Sequence, residues 1–305
     1  MSTMVRSRNY APSADLASVV ARFYVVTVPL ADDFEVIDRL FSETAFVRIL
    51  MGGDWAWESA PGQWQAVEPM LLCGQSTRPI TARVRGSFHV VGFALRPGGW
   101  RRLFAAPANT STDRLQSLAP IWGDAAHQLF ARLNCMDRQD DAPVIALVEQ
   151  FLRTRIAERG DVPHDPAMQA FEHLVRRDST MLIRDTEAMI GLSARQMERA
   201  CAASFGLTPK TIMRRSRFLD MAAAMRGFTN PSEDELARLR FYDQSHLNRE
   251  FRRFIEMTPK QFANTPTPLL DAGMVLRAMR KGEEMAKEAD RVRISPAAGS
   301  IVRRA

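Results

Sequence analysis

The chain has 305 residues, 46% of them hydrophobic and 25% charged, an ordinary globular composition at a length that fits two domains better than one. No stretch approaches the roughly 18 uninterrupted apolar residues of a membrane helix, and the opening residues hold no apolar signal core. A soluble protein of the cytoplasm, with no membrane partner, is expected. Net charge is +6 and unevenly placed: residues 1–164 carry 17 Arg, 17 acidic groups and no Lys, whereas 165–266 and 267–305 each hold an excess of three positive charges. A basic segment behind a neutral one fits a polyanion-binding module joined to something else.

Short β-branched or aromatic runs bounded by Gly or Pro predict strands over 21–28, 45–51, 62–67, 76–85 and 87–95, hence a barrel or sandwich. Helical patterns follow at 100–104, 118–122 and 125–133. Residues 143–157 place Val144, Ile145, Leu147, Val148, Phe151, Leu152 and Ile156 near a 3.6 period, an apolar face wider than a small barrel needs and so a candidate for dimerisation. Gly160 and two prolines mark 158–166 as a linker, after which the β signal vanishes. The expected fold class is α+β with two domains: an N-terminal β-barrel or sandwich with flanking helices over 1–160, and an all-α domain over 165–266. A tail over 267–305 holds one helical stretch, about 268–290, and a basic end expected to be mobile.

An internal repeat organises the helical part. SerAlaArgGlnMetGluArgAlaCysAlaAlaSerPheGlyLeuThrProLys (193–210) aligns with AspGlnSerHisLeuAsnArgGluPheArgArgPheIleGluMetThrProLys (243–260). Ser193 and Asp243 are suited to cap a helix, and Thr-Pro in both copies reads as a cap followed by proline at the first helical position. Helical spacing turns Met197 and Cys201, and Leu247, Phe251 and Phe254, inward. It turns Arg195, Glu198 and Arg199, and Gln244, Ser245, Asn248 and Arg249, outward. Arg, Glu, Gln, Asn and Ser are the side chains that hydrogen-bond base edges in a major groove. Between the copies, residues 209–226 contain no internal Gly or Pro and predict one helix of roughly 27 Å, able to hold two recognition helices about one DNA turn apart. Ile212, Phe218, Leu219, Ala222 and Met225 would supply its buried side, and Gly227 its stop.

These residues resemble the DNA-binding domain of the AraC/XylS transcription regulators. GlyLeuSerAlaArgGlnMetGluArg (191–199), PheGlyLeuThrProLys (205–210), and PheTyrAspGlnSerHisLeuAsnArgGluPheArgArgPhe (241–254) followed by MetThrProLysGlnPhe (257–262) carry the resemblance. It implies seven helices over 165–266, forming two helix-turn-helix units joined by a long helix. It implies base contacts at Arg195, Glu198 and Arg199 in the first unit, and at Gln244, Ser245, Asn248 and Arg249 in the second. Phosphate contacts would fall on Thr208, Lys210, Arg214, Arg215, Thr258 and Lys260, partly because free N–H groups and the helix dipole favour anions at helix starts. Arg240 stands where the family usually has Gly, which predicts a strained turn and a weaker second unit. The N-terminal region resembles, more loosely, a sensor-type domain of some family members. Gly74-Gln75-Ser76-Thr77-Arg78-Pro79, Gly92–Gly99 and Ile121-Trp122-Gly123 carry that likeness. The implied partner is double-stranded DNA, with an unidentified effector, a second copy of the chain, and RNA polymerase for an activator left open.

Rival functions have less support. The five histidines show no metal spacing, and no phosphate loop, dinucleotide fingerprint or Gly-x-Ser-x-Gly occurs, so no metal, cofactor or catalytic residue is expected. Cys73, Cys135 and Cys201 form neither a disulfide framework nor a Cys-x-x-Cys knuckle. A DNA-repair transferase fused to the same DNA-binding module could use Cys73, but a small buried side chain is the commoner role. An architectural DNA binder would rely on phosphates alone, which the polar outward faces argue against.

Overall fold

A computed structural model describes residues 6–29, 31, 34–239 and 244–294. Its strands are β1 (Arg6–Tyr10), β2 (Val20–Val28), β3 (Glu35–Leu40), β4 (Phe46–Met51), β5 (Asp54–Ala60), β6 (Gln63–Ala66), β7 (Met70–Cys73), β8 (Ile80–Arg85), β9 (Phe88–Leu95) and β10 (Leu115–Ser117). They pair antiparallel into a six-stranded sheet, β1-β2-β9-β4-β7-β10, and a four-stranded sheet, β3-β8-β5-β6. Strand β9 is buried at every position. Its apolar, β-branched run suits a central strand covered on both faces, and Gly92 is needed there. A Cβ at 92 would lie 2.3 Å from the Tyr24 ring and 2.5 Å from the Val47 carbonyl oxygen.

Helices α1 (Trp100–Leu103), α2 (Ala119–Trp122), α3 (Asp124–Asn134) and α4 (Asp141–Glu158) cover the larger sheet. The apolar side of α4 does not await a partner. Val144, Ile145, Leu147, Val148 and Leu152 are buried in the core of their own domain, with Phe151 and Ile156 packed against it. The width of that face, read from the sequence as a reason for dimerisation, is spent on α3 and the sheet.

Strand β1 is polar and is pinned rather than buried. Asp141, at the start of α4, accepts hydrogen bonds from Arg8 Nε and Nη2 and, at 2.6 Å, from Tyr10 Oη. Burial pushes the Asp141 carboxyl upward, but the hydrogen bonds from Arg8 and Tyr10 outweigh it and hold the group below its usual value of 3.8. A depressed carboxylate stabilises the fold above the ordinary carboxylate range and loses that effect as pH falls through its lowered value. Asp141→Asn should therefore cost about 1–3 kcal/mol near neutrality, with a gap in melting temperature that narrows below pH 3.8. Thermal melts of both proteins at neutral and acid pH check this, and an undiminished gap in acid would contradict it.

The second half is helical: α5 (Pro166–Arg177), α6 (Ile183–Ile190), α7 (Ala194–Ser204), α8 (Pro209–Met225), α9 (Glu233–Leu239), α10 (Gln244–Ile255), α11 (Pro259–Asn264) and α12 (Pro268–Ile294). Helix α8 buries Ile212, Phe218, Leu219 and Ala222 as its pattern predicts, while Met225 is exposed. Gly227, at φ +71°, takes the left-handed conformation just beyond its end. The expected turn strain at Arg240 and the cap at Asp243 lie outside the described residues, as does the chain end beyond 294.

The two halves share an extensive polar and apolar seam. Asp38 of β3 accepts from the backbone N–H groups of Leu269 (2.6 Å) and Leu270 (3.3 Å), so a strand residue caps α12. Arg277 of α12 pairs with Glu43 of the sheet domain and with Asp220 of α8. Glu172 of α5 meets Arg96, Arg176 and Arg280. Helix α12 is thus anchored to both halves and is no mere appendage.

Candidate nucleic-acid interface

The first unit is built by local rules. Helix α6 ends at Gly191, whose φ of +75° no side chain adopts cheaply. Helix α7 starts at Ser193 in a reciprocal capping box, Ser193 taking the Gln196 N–H while the Gln196 side chain takes the Ser193 N–H at 3.0 Å. Met197 and Cys201 are fully buried against Met168, Phe171 and Val175 of α5 and Ile183 and Ile190 of α6. That packing leaves Arg195, Glu198 and Arg199 exposed together on the opposite face.

The second unit repeats the plan. Phe251 and Phe254 of α10 are fully buried; Gln244, Ser245 and Arg249 are exposed and Asn248 is half-buried beside them. Thr208 caps α8, and Thr258 caps α11 in a second capping box with Gln261. Lys210 and Lys260 stand exposed one residue into those helices. The sequence marks Ser193 and Thr258 as caps; the reciprocal bonds from Gln196 and Gln261 are what the structure adds. The structure thus brings together three base-contact candidates on α7 and four on α10, with a lysine and a capped helix start close to each.

Two of the phosphate candidates behave differently. Arg215 is 1% exposed, and it is withdrawn from the list of DNA contacts. Its guanidinium donates to the backbone carbonyls of Ser42 (3.4 Å), Ser76 (3.2 Å) and Glu43, all on the sheet domain. Burial pushes its pKa down to about 9. About 100° of helical rotation separates an outward Arg214 from this inward neighbour, and the run Arg214-Arg215 carried no sign of which was which. Arg214 keeps partial exposure but is ion-paired with the buried carboxylate of Glu250 on α10. Glu250 itself had no sequence signal, since an acidic residue on a recognition helix reads as solvent-facing.

Elsewhere the chemistry recedes. Cys73 is buried and its thiol is pushed up to about 12 by burial, so it is no thiolate near neutrality. Arg83 and Arg85 both pair with Glu35, Arg83 also lying over the Trp64 ring at 4.8 Å, and Arg96 bonds the Ala17 carbonyl and pairs with Glu172, so each of these arginines is held by the protein itself. Among the described residues, no group of His, Cys, Asp and Glu is placed to hold a metal ion, and no helix is long and apolar enough to cross a membrane.

A cavity of about 480 Å³ opens between the two sheets. Val26, Val28, Val36, Trp55, Phe88 and Val90 wall it, Arg48 reaches it, and Leu269 and Ala272 of α12 close one side.

Residues 187–265 match the helix-turn-helix domain family, and residues 8–117 match a domain of unknown function (DUF6597). No curated protein matches the chain. Similar solved structures include ToxT from Vibrio cholerae, at 12% identity and TM-score 0.44, covering 79% of this chain and 97% of that one. ToxT from Vibrio cholerae in an unsaturated-fatty-acid-bound form is 10% identical at TM-score 0.44, covering 81% and 97%. The AraC-like transcriptional activator CuxR is 12% identical at TM-score 0.25, covering 70% and 86%. With two helices, α7 and α10, that each bury one stripe in one helical domain, and a family match across both, residues 187–265 are an AraC-type helix-turn-helix domain, the DNA-binding module of transcription regulators.

Proposed function

We propose that the chain is a sequence-specific regulator that sets α7 and α10 into successive major grooves of double-stranded DNA, under the control of a ligand at its N-terminal domain. The observation that carries the reading is the duplicated exposed face: Arg195, Glu198 and Arg199 on one helix, and Gln244, Ser245, Asn248 and Arg249 on the other, each opposite a fully buried stripe. Such side chains select bases, whereas Lys210, Lys260 and the capped starts at Thr208 and Thr258 suit phosphate. The cavity between the sheets suits a small, mostly apolar effector, because its walls are chiefly apolar side chains, with Arg48 and Glu35 the charged groups among them. Dimerisation on a repeated operator would need a surface other than the apolar side of α4, which is internal.

The test is selection of bound DNA from a random pool by the full chain. The expected result is a motif of two parts about one helical turn, roughly 10 bp, apart. Enrichment without a motif would favour the architectural reading and overturn this one.

A further inference from the structure

We infer that Phe41, a residue of the sheet domain, is a positioning residue for the second recognition helix, α10. The inference rests on the two-unit DNA reading for its functional meaning, but its structural basis is separate.

The two recognition helices are supported differently. The apolar cluster beneath helix α7 is drawn from residues 167–213, with Ile183 and Ile190 of the preceding helix α6 in it, and the sheet domain reaches α7 through its turns at 97–99 and 108–111. Around Phe251 and Phe254 of α10, the cluster holds Phe218 and Leu219 of α8, Leu270 and Met274 of α12, and Phe41, but among the described residues none from the preceding helix α9. In the second unit, Phe41 of the other domain and Leu270 and Met274 of α12 share the cluster that holds the buried side of α10.

Phe41 is built into that position. Its ring meets Phe254 edge-on at 5.9 Å and 73°, and Phe218 at 6.2 Å and 76°. Such pairs prefer a defined angle, so they fix orientation as well as burying area. The segment carrying Phe41 cannot slide. Asp38 holds the start of α12, the Ser42 and Glu43 carbonyls hold Arg215, and Ser42 N–H bonds Ser76 Oγ at 3.1 Å. The ion pair from Arg214 to Glu250 braces α10 from the α8 side. A recognition helix loses bidentate base contacts when it tilts by a fraction of an ångström to an ångström. The first unit meets the same domain at other places, along 97–99 and 108–112, where Thr112 Oγ1 donates to the Gly206 carbonyl at 2.8 Å, whereas the ring of Phe41 lies against Phe218 and Phe254, so α7 should feel Phe41 little.

The experiment compares wild type, Phe41→Ala and Phe41→Leu as full-length protein. The selected DNA site is used intact and with either half scrambled. Phe41→Ala should reduce discrimination at the α10 half by about tenfold and change the α7 half by less than about twofold, with Phe41→Leu between wild type and Ala. Hydrogen exchange without DNA should show amides of α10 opening about tenfold faster and those of α7 unchanged. Equal losses at both halves, or no loss at either, would overturn the inference, as would equal exchange in α7 and α10. A wild-type protein that selects no motif would instead refute the DNA reading, and the exchange comparison would then decide this inference alone. Should the Ala variant fail to fold, the Leu variant gives the same comparison on a smaller scale.

Discussion

Arg215→Ala should lower the stability of the full chain by about 3 kcal/mol and loosen the junction between its two halves. The side chain is fully buried, and its guanidinium donates to the carbonyls of Ser42, Glu43 and Ser76; the Ser42 carbonyl keeps the Ser76 N–H at 2.9 Å, but the Glu43 and Ser76 carbonyls lose this donor once the fork is gone. Each buried carbonyl left without a partner costs about 1–3 kcal/mol. Truncation also opens a cavity where a long side chain stood. Relief from burying a cation offsets part of this loss, as the pKa pushed down to about 9 indicates. The sign of the pH effect follows. A cation with a lowered folded pKa carries its burial cost at every pH below that value and sheds it only above, so the loss should be the same at pH 7 and pH 8. Denaturant titration at both values checks the prediction. A loss under about 1 kcal/mol would mean that the fork is dispensable. Arg215→Lys, which keeps the charge but not the planar fork, should recover only part of the stability.

Arg199→Ala and Arg249→Ala should each weaken binding to the selected site by about 1–3 kcal/mol and relax preference at one base position. The two arginines occupy equivalent positions of the repeat, and both are exposed on the face opposite the buried stripe of their helix. Lys210→Ala should behave differently. An exposed lysine at the start of α8 meets phosphate, so its loss should weaken all sequences alike and reduce the salt slope by about one. Binding isotherms on specific and random DNA at several salt concentrations separate the two kinds of contact. Equal loss on both DNAs for Arg199→Ala would make it a phosphate contact.

Local signals explain which features were legible in the sequence. Capping residues and periodicity were enough to place α7, α8 and α11, because Ser193, Thr208 and Thr258 each stand immediately before a helix start. The central strands were legible for the same reason: apolar runs such as 88–95 are buried on both faces. Strands β1, β3, β5, β7 and β10 were not. Strand β1 is polar and held by Asp141, β3 carries Asp38 inward to cap a helix more than 200 residues away, and β10 is a three-residue edge. Their partners are remote in sequence, and no local pattern encodes them. Residues 76–79, read as part of a strand, form a loop whose Ser76 instead serves Ser42 and Arg215. The same limit explains Arg215: its run is basic, its helix lies in a basic half, and only the docked sheet domain turns it into a core residue. The seam between the halves, with Phe41, Asp38, Arg277 and Glu172, is a product of tertiary contact throughout.

Guanine N7 lies in the major groove, so methylation interference reads recognition-helix insertion directly. On the selected site, wild-type protein should be blocked by methylation at two clusters of guanines about one helical turn, roughly 10 bp, apart on one face of the duplex. Interference at the cluster read by α7 should vanish in Arg199→Ala while the other remains. Binding that is indifferent to N7 methylation, or interference confined to one cluster in the wild type, would contradict a protein that reads DNA with two recognition helices.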